Sequence, residues 1–203
     1  MTSVEEVRLK QSVALTSRSG FTLVELVVVV VMAAIVAGIA VPVVNIARYR
    51  TDSSVLELFS TLQASQRMAV LRGHTITVAL DLDGNRYRIH NDENNDGVID
   101  AGENIRWVPL GEGVTFGRGG ADRVAGAPNV EGAHTFTRLQ GDFPAFSFRR
   151  NGSGTEEGAL YITSGRSATS GAFPEESRAV LLSRATGRVS CFRNGAEGWS
   201  EGC

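Results

Sequence analysis

The chain has 203 residues, with 20 Lys and Arg against 22 Asp and Glu, a formal charge of −2 at pH 7. That balance offers no cationic footprint for nucleic acid, and the length leaves ample chain for one packed domain beyond any membrane segment. His74, His90 and His134 are scattered, and no G-x-S-x-G, phosphate-binding glycine loop or paired metal-binding histidines accompany them, so nothing points to an enzyme.

Residues 1–20 are polar and carry Arg8, Lys10 and Arg18. From Phe21 to Val44 almost every residue is apolar, the exceptions being Thr22, Glu25, Gly38 and Pro42. As a helix this run measures roughly 36 Å, enough to cross a hydrocarbon core of about 30 Å. Cations ahead of the run hold that end in the cytoplasm. Glu25 needs a reason, because an acidic residue at the centre of a span costs about 2.5–3.5 kcal/mol, and less near its end. A cleaved secretory signal is the rival reading, with Gly38 and Ala40 as small residues before a cut at Val41. The run is too long for such a signal, and an acidic residue near its start is out of place.

The stretch SGFTLVELVVVVVMAAIVAGIAVP resembles the class III signal of type IV pilins and type II secretion pseudopilins. The resemblance implies that a prepilin peptidase cuts between Gly20 and Phe21 on the cytoplasmic face and N-methylates Phe21. It implies further that the apolar helix remains as an assembly spine. Glu25 then has a chemical purpose. An amine on Phe21 and a carboxylate on Glu25 are each disfavoured when unpaired in lipid. Pairing Glu25 of one subunit with the amine of a neighbour removes both penalties and sets the axial register. The same pairing within one helix, four residues apart, competes with it.

Residues 45–73 read as the amphipathic half of the spine. Val55, Phe59, Leu62 and Ala69 share one face with Leu58 and Met68, which predicts packing against a sheet. Gly73 ends the helix, and Pro42 kinks the spine above it. Residues 74–203 read as a β-rich domain. Thr75–Leu82 alternates, and Asp83–Asn85 turns it into RYRIH. NIRWVPL, GVTFG, AFSFRRNGSG, GALYIT and a C-terminal hairpin turning at Ala185–Gly187 follow, about eight short strands in all. Two long loops interrupt them, Gly117–Thr135 and SGRSATSGAFPEES. The predicted fold is α+β, a pilin-like lollipop with a leader (1–20), a transmembrane half (21–44), an amphipathic half (45–73) and an antiparallel β domain (74–203).

FSFRRNGSG, GALYI and AVLLSRATGRVS are similar to the GspH/FimT branch of the pilin group. The resemblance implies a minor pseudopilin or minor pilin near the tip of a short periplasmic filament. Its implied partners are other pilins or pseudopilins, the prepilin peptidase, the inner membrane and secreted cargo. Three readings stand: a type II secretion minor pseudopilin, a type IV minor pilin, and a pilin of that kind whose tip binds DNA. DNA binders of the FimT kind resemble one another in a basic GRxR. This chain has GRVS, with Ser190 in the second arginine's place, and leaves Arg184, Arg188 and Arg193, with Arg149 and Arg150 as candidates nearby. A solvated hairpin face is the favoured explanation of these arginines, so DNA is not an expected partner.

Cys191 and Cys203 are the only cysteines. A domain outside the cytoplasm favours a disulfide between them, with two free thiols as the alternative. Asp92–Glu103, DENNDGVIDAGE, matches the loop template D-x-[DN]-x-[DN]-G-x5-E. Asp92, Asn94, Asp96, the Val98 carbonyl, Asp100 and Glu103 would supply oxygens to a structural calcium ion. The flanking segments read as strands, not helices, so an acidic hairpin loop is the competing reading.

Overall fold

A computed structural model describes residues 21–40, 45–128 and 132–203. The leader, Gly20 and Pro42 lie outside the described residues, and so does the expected kink. The chain divides into two compact units, 1–44 and 45–203.

In the first unit, α1 spans Leu23–Ala40. It begins where the Thr22 hydroxyl accepts the Glu25 amide at 3.2 Å, the N-cap half of a capping box. Glu25 sits in the first turn, where the helix dipole favours an anion. Among the described residues no helix is long and apolar enough to cross a membrane. The 18 residues of α1 measure about 27 Å, short of a core of about 30 Å; the expected span ran to Val44.

In the second unit, α2 spans Ile46–Arg72. Asn45 caps its start, and Gly73 ends it in the left-handed region at φ 72°, its amide donating to the Ala69 carbonyl. Val55, Leu58, Leu62 and Ala69 are buried as the periodicity predicts. Phe59 and Met68 are only partly buried at the margin of that face. Thr51, Ser54 and Ser65 share the buried face instead. Thr51 and Ser65 donate back to the Ala47 and Thr61 carbonyls, and Ser54 accepts the Gly111 amide. Satisfied hydroxyls are buried at little cost, so a hydrophobicity pattern misses them.

Ten strands follow: β1 Thr75–Asp81, β2 Arg86–Asp92, β3 Ile105–Pro109, β4 Val114–Phe116, β5 Leu139–Gln140, β6 Phe143–Phe148, β7 Gly158–Ser164, β8 Arg178–Leu182, β9 Val189–Gly195 and β10 Gly198–Glu201. They form two antiparallel sheets, ordered β3-β2-β1-β6-β5 and β10-β9-β8-β7-β4. The count exceeds the expected eight because β5 and β10 are too short to show a period. One core joins α2 to both sheets, through Leu58, Leu62, Ile76, Val78, Phe146, Phe148, Leu160, Ile162 and Val180 among others. Gln66 of α2 donates to the carbonyls of Gly152 and Thr186. A Cβ on Gly187 would collide with the Gly152 carbonyl, so this close crossing of two turns requires glycine.

Both expected long loops have structure of their own. The described part of 117–135 brings Val124 onto Ala159, Tyr161 and Ala179, and Asp122 accepts the Trp199 indole N–H at 2.8 Å. It thereby covers the outer side of the second sheet. The segment after β7 contains a short helix, α3 (Gly165–Ser170), capped by Ser164, and one 3-10 turn at Pro174–Glu176.

Cys191 in β9 and Cys203 form a disulfide, which ties down a tail with few apolar anchors. Cys203→Ser is expected to lower stability by about 2–3 kcal/mol, the chain-entropy value for a loop of about a dozen residues. Thermal melts with and without reductant, paired with alkylation before and after reduction, check this; full labelling without reductant would exclude the bond.

Candidate functional site

Three groups of residues singled out in the sequence are placed by the structure. The first is the N-terminal helix. Every side chain from Phe21 to Ala37 is exposed, and Glu25 is the only charged one among them. Phe21 and Leu23 are 82% and 80% exposed. A helix apolar on all sides requires surroundings of lipid or other helices.

The second is the loop 92–103, which joins β2 to β3. Its carboxylates are engaged by the loop's own donors. Asp92 accepts the amides of Asp96 and Gly97, Asp96 accepts that of Val98, and Asn94 donates to Asp96 and Asp100. Glu103 accepts the Glu93 amide on one oxygen, and His90 Nε2 (2.6 Å) and the Asp100 amide on the other. Among the described residues no group of three or more His, Cys, Asp or Glu side chains is placed to hold a metal ion. The expected calcium ligands Asp92, Asn94, Asp96, Val98, Asp100 and Glu103 all belong to this loop, and isothermal titration with calcium tests whether they bind it. Backbone amides already offset part of the carboxylate charge.

Behind the loop lies a buried polar chain that sequence reasoning missed. Arg88 donates to Gln140 Oε1 at 3.1 Å, and Gln140 Nε2 donates to His90 Nδ1 at 2.8 Å. Because guanidinium only donates, it fixes the Gln140 amide orientation. That assigns the His90 proton to Nε2, facing Glu103. Arg88 Nε has no partner among the described residues. Its guanidinium lies 5.3 and 5.4 Å from the Trp107 and Phe143 ring centres, where the ring faces attract the cation. No sequence signal marks this chain, since Gln140 comes from the two-residue strand β5.

A second unforeseen cluster is centred on Glu176, a fully buried carboxylate. It accepts from Arg166, from the Ser164 hydroxyl and from Asn45 Nδ2, the last at 2.9 Å. Asn45 directly before a helical run is a legible capping signal; its partners are not.

The Arg166 guanidinium, helped by Ser164 and Asn45, holds the Glu176 carboxyl down to about 2 from an ordinary 4.5. The Asp100 amide, then His90, holds Glu103 equally low, at about 2. Both groups are depressed on folding. Their stabilisation is complete above about pH 4.5 and is lost as pH falls through about 2. The melting temperature is therefore expected to fall across that window, and less steeply in Glu103→Gln and Glu176→Gln. Melts at intervals from pH 6 to 2 check the slopes; identical slopes in all three proteins would refute the assignment.

The third group is the arginines. Arg188 pairs with Glu201 at 3.0 Å on the surface, and Arg193 reaches Ser200. Arg149 donates to the Gly154 carbonyl at 2.6 Å and shares an open hollow with Arg184 and Glu157. Arg150 lies in a different hollow, with Arg138, Asp92 and Asp96. Carboxylates are interspersed with the cations in each place.

Comparison with known proteins supplies the family. No curated protein is significantly similar to the chain. Among solved structures, the minor pseudopilin EpsH from the type 2 secretion system of Vibrio cholerae is similar at 16% identity and a TM-score of 0.48, covering 72% of this chain and 98% of that one. The type IV minor pilin FimU of Pseudomonas aeruginosa is similar at 16% identity and a TM-score of 0.48, covering 77% and 96%. The family model of the prokaryotic N-terminal methylation motif matches residues 15–41. The model described as type II transport protein GspH matches residues 54–186. With well over half of its length matched by that model, the chain belongs to the GspH family.

Proposed function

We propose that the chain is a minor pseudopilin of a type II protein secretion system, an assembly subunit near the tip of a periplasmic pseudopilus. In this reading residues 21–44 anchor it in the bacterial inner membrane, with the N-terminus cytoplasmic and the globular domain periplasmic. It assembles with other pseudopilins through the N-terminal helix and meets secreted cargo at the filament tip. The observation that carries the reading is α1, apolar on every described side and exposed, with Glu25 as its single charge in the first turn. Such a surface calls for lipid before assembly and for neighbouring helices after it. Membership of the GspH family supports the secretion system over a type IV pilus. The type IV minor pilin reading shares the same N-terminal chemistry, and the neighbouring genes separate the two.

The test is the mature N-terminus. A prepilin peptidase should cut between Gly20 and Phe21 and leave N-methylated Phe21. Gly20→Val should leave only uncut precursor, because the peptidase requires a small residue before the cut. N-terminal mass spectrometry of membrane-extracted protein reads both. A chain beginning at Val41 would replace this reading with ordinary signal cleavage.

A further inference from the structure

The chain enters its globular unit at Asn45, and Asn45 makes more bonds there than a helix cap requires. Its Oδ1 accepts the Arg48 amide at 3.1 Å, the ordinary cap. The same oxygen accepts Arg166 Nη2 at 3.0 Å, and Nδ2 donates to Glu176 at 2.9 Å. These partners lie 121 and 131 residues away in sequence. Arg166 in turn binds Glu176 through Nε and Nη2 and lies 4.4 Å from the Phe173 ring centre. Among the good capping residues only asparagine closes this triangle. Serine has a single polar atom on a shorter side chain and cannot reach Glu176 while capping Arg48, and aspartate would set another carboxylate beside a buried one. Further along α2, Asp52 accepts from the buried Arg178 at 2.5 Å, so the first residue of β8 holds α2 a second time.

We propose that Asn45, Glu176 and Arg166 form a clasp that fixes the first turn of α2 to the segment between β7 and β8 and keeps that turn from fraying. The clasp makes the end of α2 part of the globular unit and not a frayed terminus. It stands independently of the secretion reading, since it rests on contacts within one unit.

Hydrogen exchange on the full chain in detergent micelles at pH 7 tests it, read by mass spectrometry over residues 48–52 and over β1 and β8. Asn45→Ser keeps a capping oxygen but cannot bridge Glu176, and Glu176→Gln keeps the shape but removes the charge that Arg166 and Asn45 bind. Both are expected to speed exchange over 48–52 by about fivefold or more, the scale of one lost hydrogen bond. In Asn45→Ser, exchange in β1 and β8 should stay at the wild-type rate, and in Glu176→Gln it should rise clearly less than over 48–52. Arg188→Ala, which removes only a surface pair, should change neither region. Wild-type exchange over 48–52 in Asn45→Ser would show that capping alone holds the turn and overturn the clasp. Acceleration spread evenly over all three regions would overturn it also, as a general loss of stability.

Discussion

Glu25→Val is expected to leave peptidase cleavage and folding intact while lowering subunit-to-subunit crosslinking roughly tenfold. The carboxylate is the one group on the apolar helix able to offset a neighbour's cationic amine. Leaving a charge unpaired costs about 2.5–3.5 kcal/mol at the centre of a span and less near its end, so a loss of about 1.4 kcal/mol, tenfold in association, is the expected scale. Folding is spared because the local role of position 25 belongs to its backbone: its amide donates to the Thr22 hydroxyl, and valine keeps that amide. Site-specific crosslinking in membranes, with N-terminal mass spectrometry of the same sample, separates assembly from processing. Wild-type crosslinking together with normal secretion in the mutant would defeat the pairing model.

Leu58→Ala is expected to destabilise the globular unit by about 3–5 kcal/mol, in the upper part of the range for buried leucines. Leu58 is 0% exposed and lies in the one core that joins α2 to both sheets. Neither sheet can close the gap without leaving the other, so the cavity persists. At roughly 2–4 °C per kcal/mol for a domain of this size, the melting temperature should fall by about 6–20 °C. Leu56, two positions away and 48% exposed, supplies the control: Leu56→Ala should change stability by about 0.5 kcal/mol or less. Denaturant or thermal melts of the chain from Asn45 onward, a compact unit of its own, check the pair. Equal shifts for the two variants would contradict the packing described.

The apolar helix Leu23–Ala40, the α2 face and the main hairpins were legible because each is a local property of its own segment. A nearly continuous apolar run, helical spacing from Val55 to Ala69 and alternation from Thr75 to Leu82 need no knowledge of the partner surface. Gly73 and the turn before RYRIH were legible for a related reason, since backbone stereochemistry restricts which residues serve there. The family, too, was readable in short quoted stretches, and the later match over 54–186 agrees with them.

What sequence alone could not decide was where polar groups find partners across long separations. Glu176 in a stretch read as loop is buried by contacts with Arg166 and with Asn45, 131 residues away. His90 is placed by Gln140, 50 residues on. The acidic loop shows the same limit: its spacing matches a calcium template, but that Glu103 meets His90 is written nowhere in the sequence. Periodicity reports what each segment must hide, and so the sequence by itself determined the apolar helix, the core face and most strands. A hydrogen bond depends on two groups meeting at about 3 Å, and only the tertiary structure decided which distant donors reached Glu103, Glu176 and Asn45.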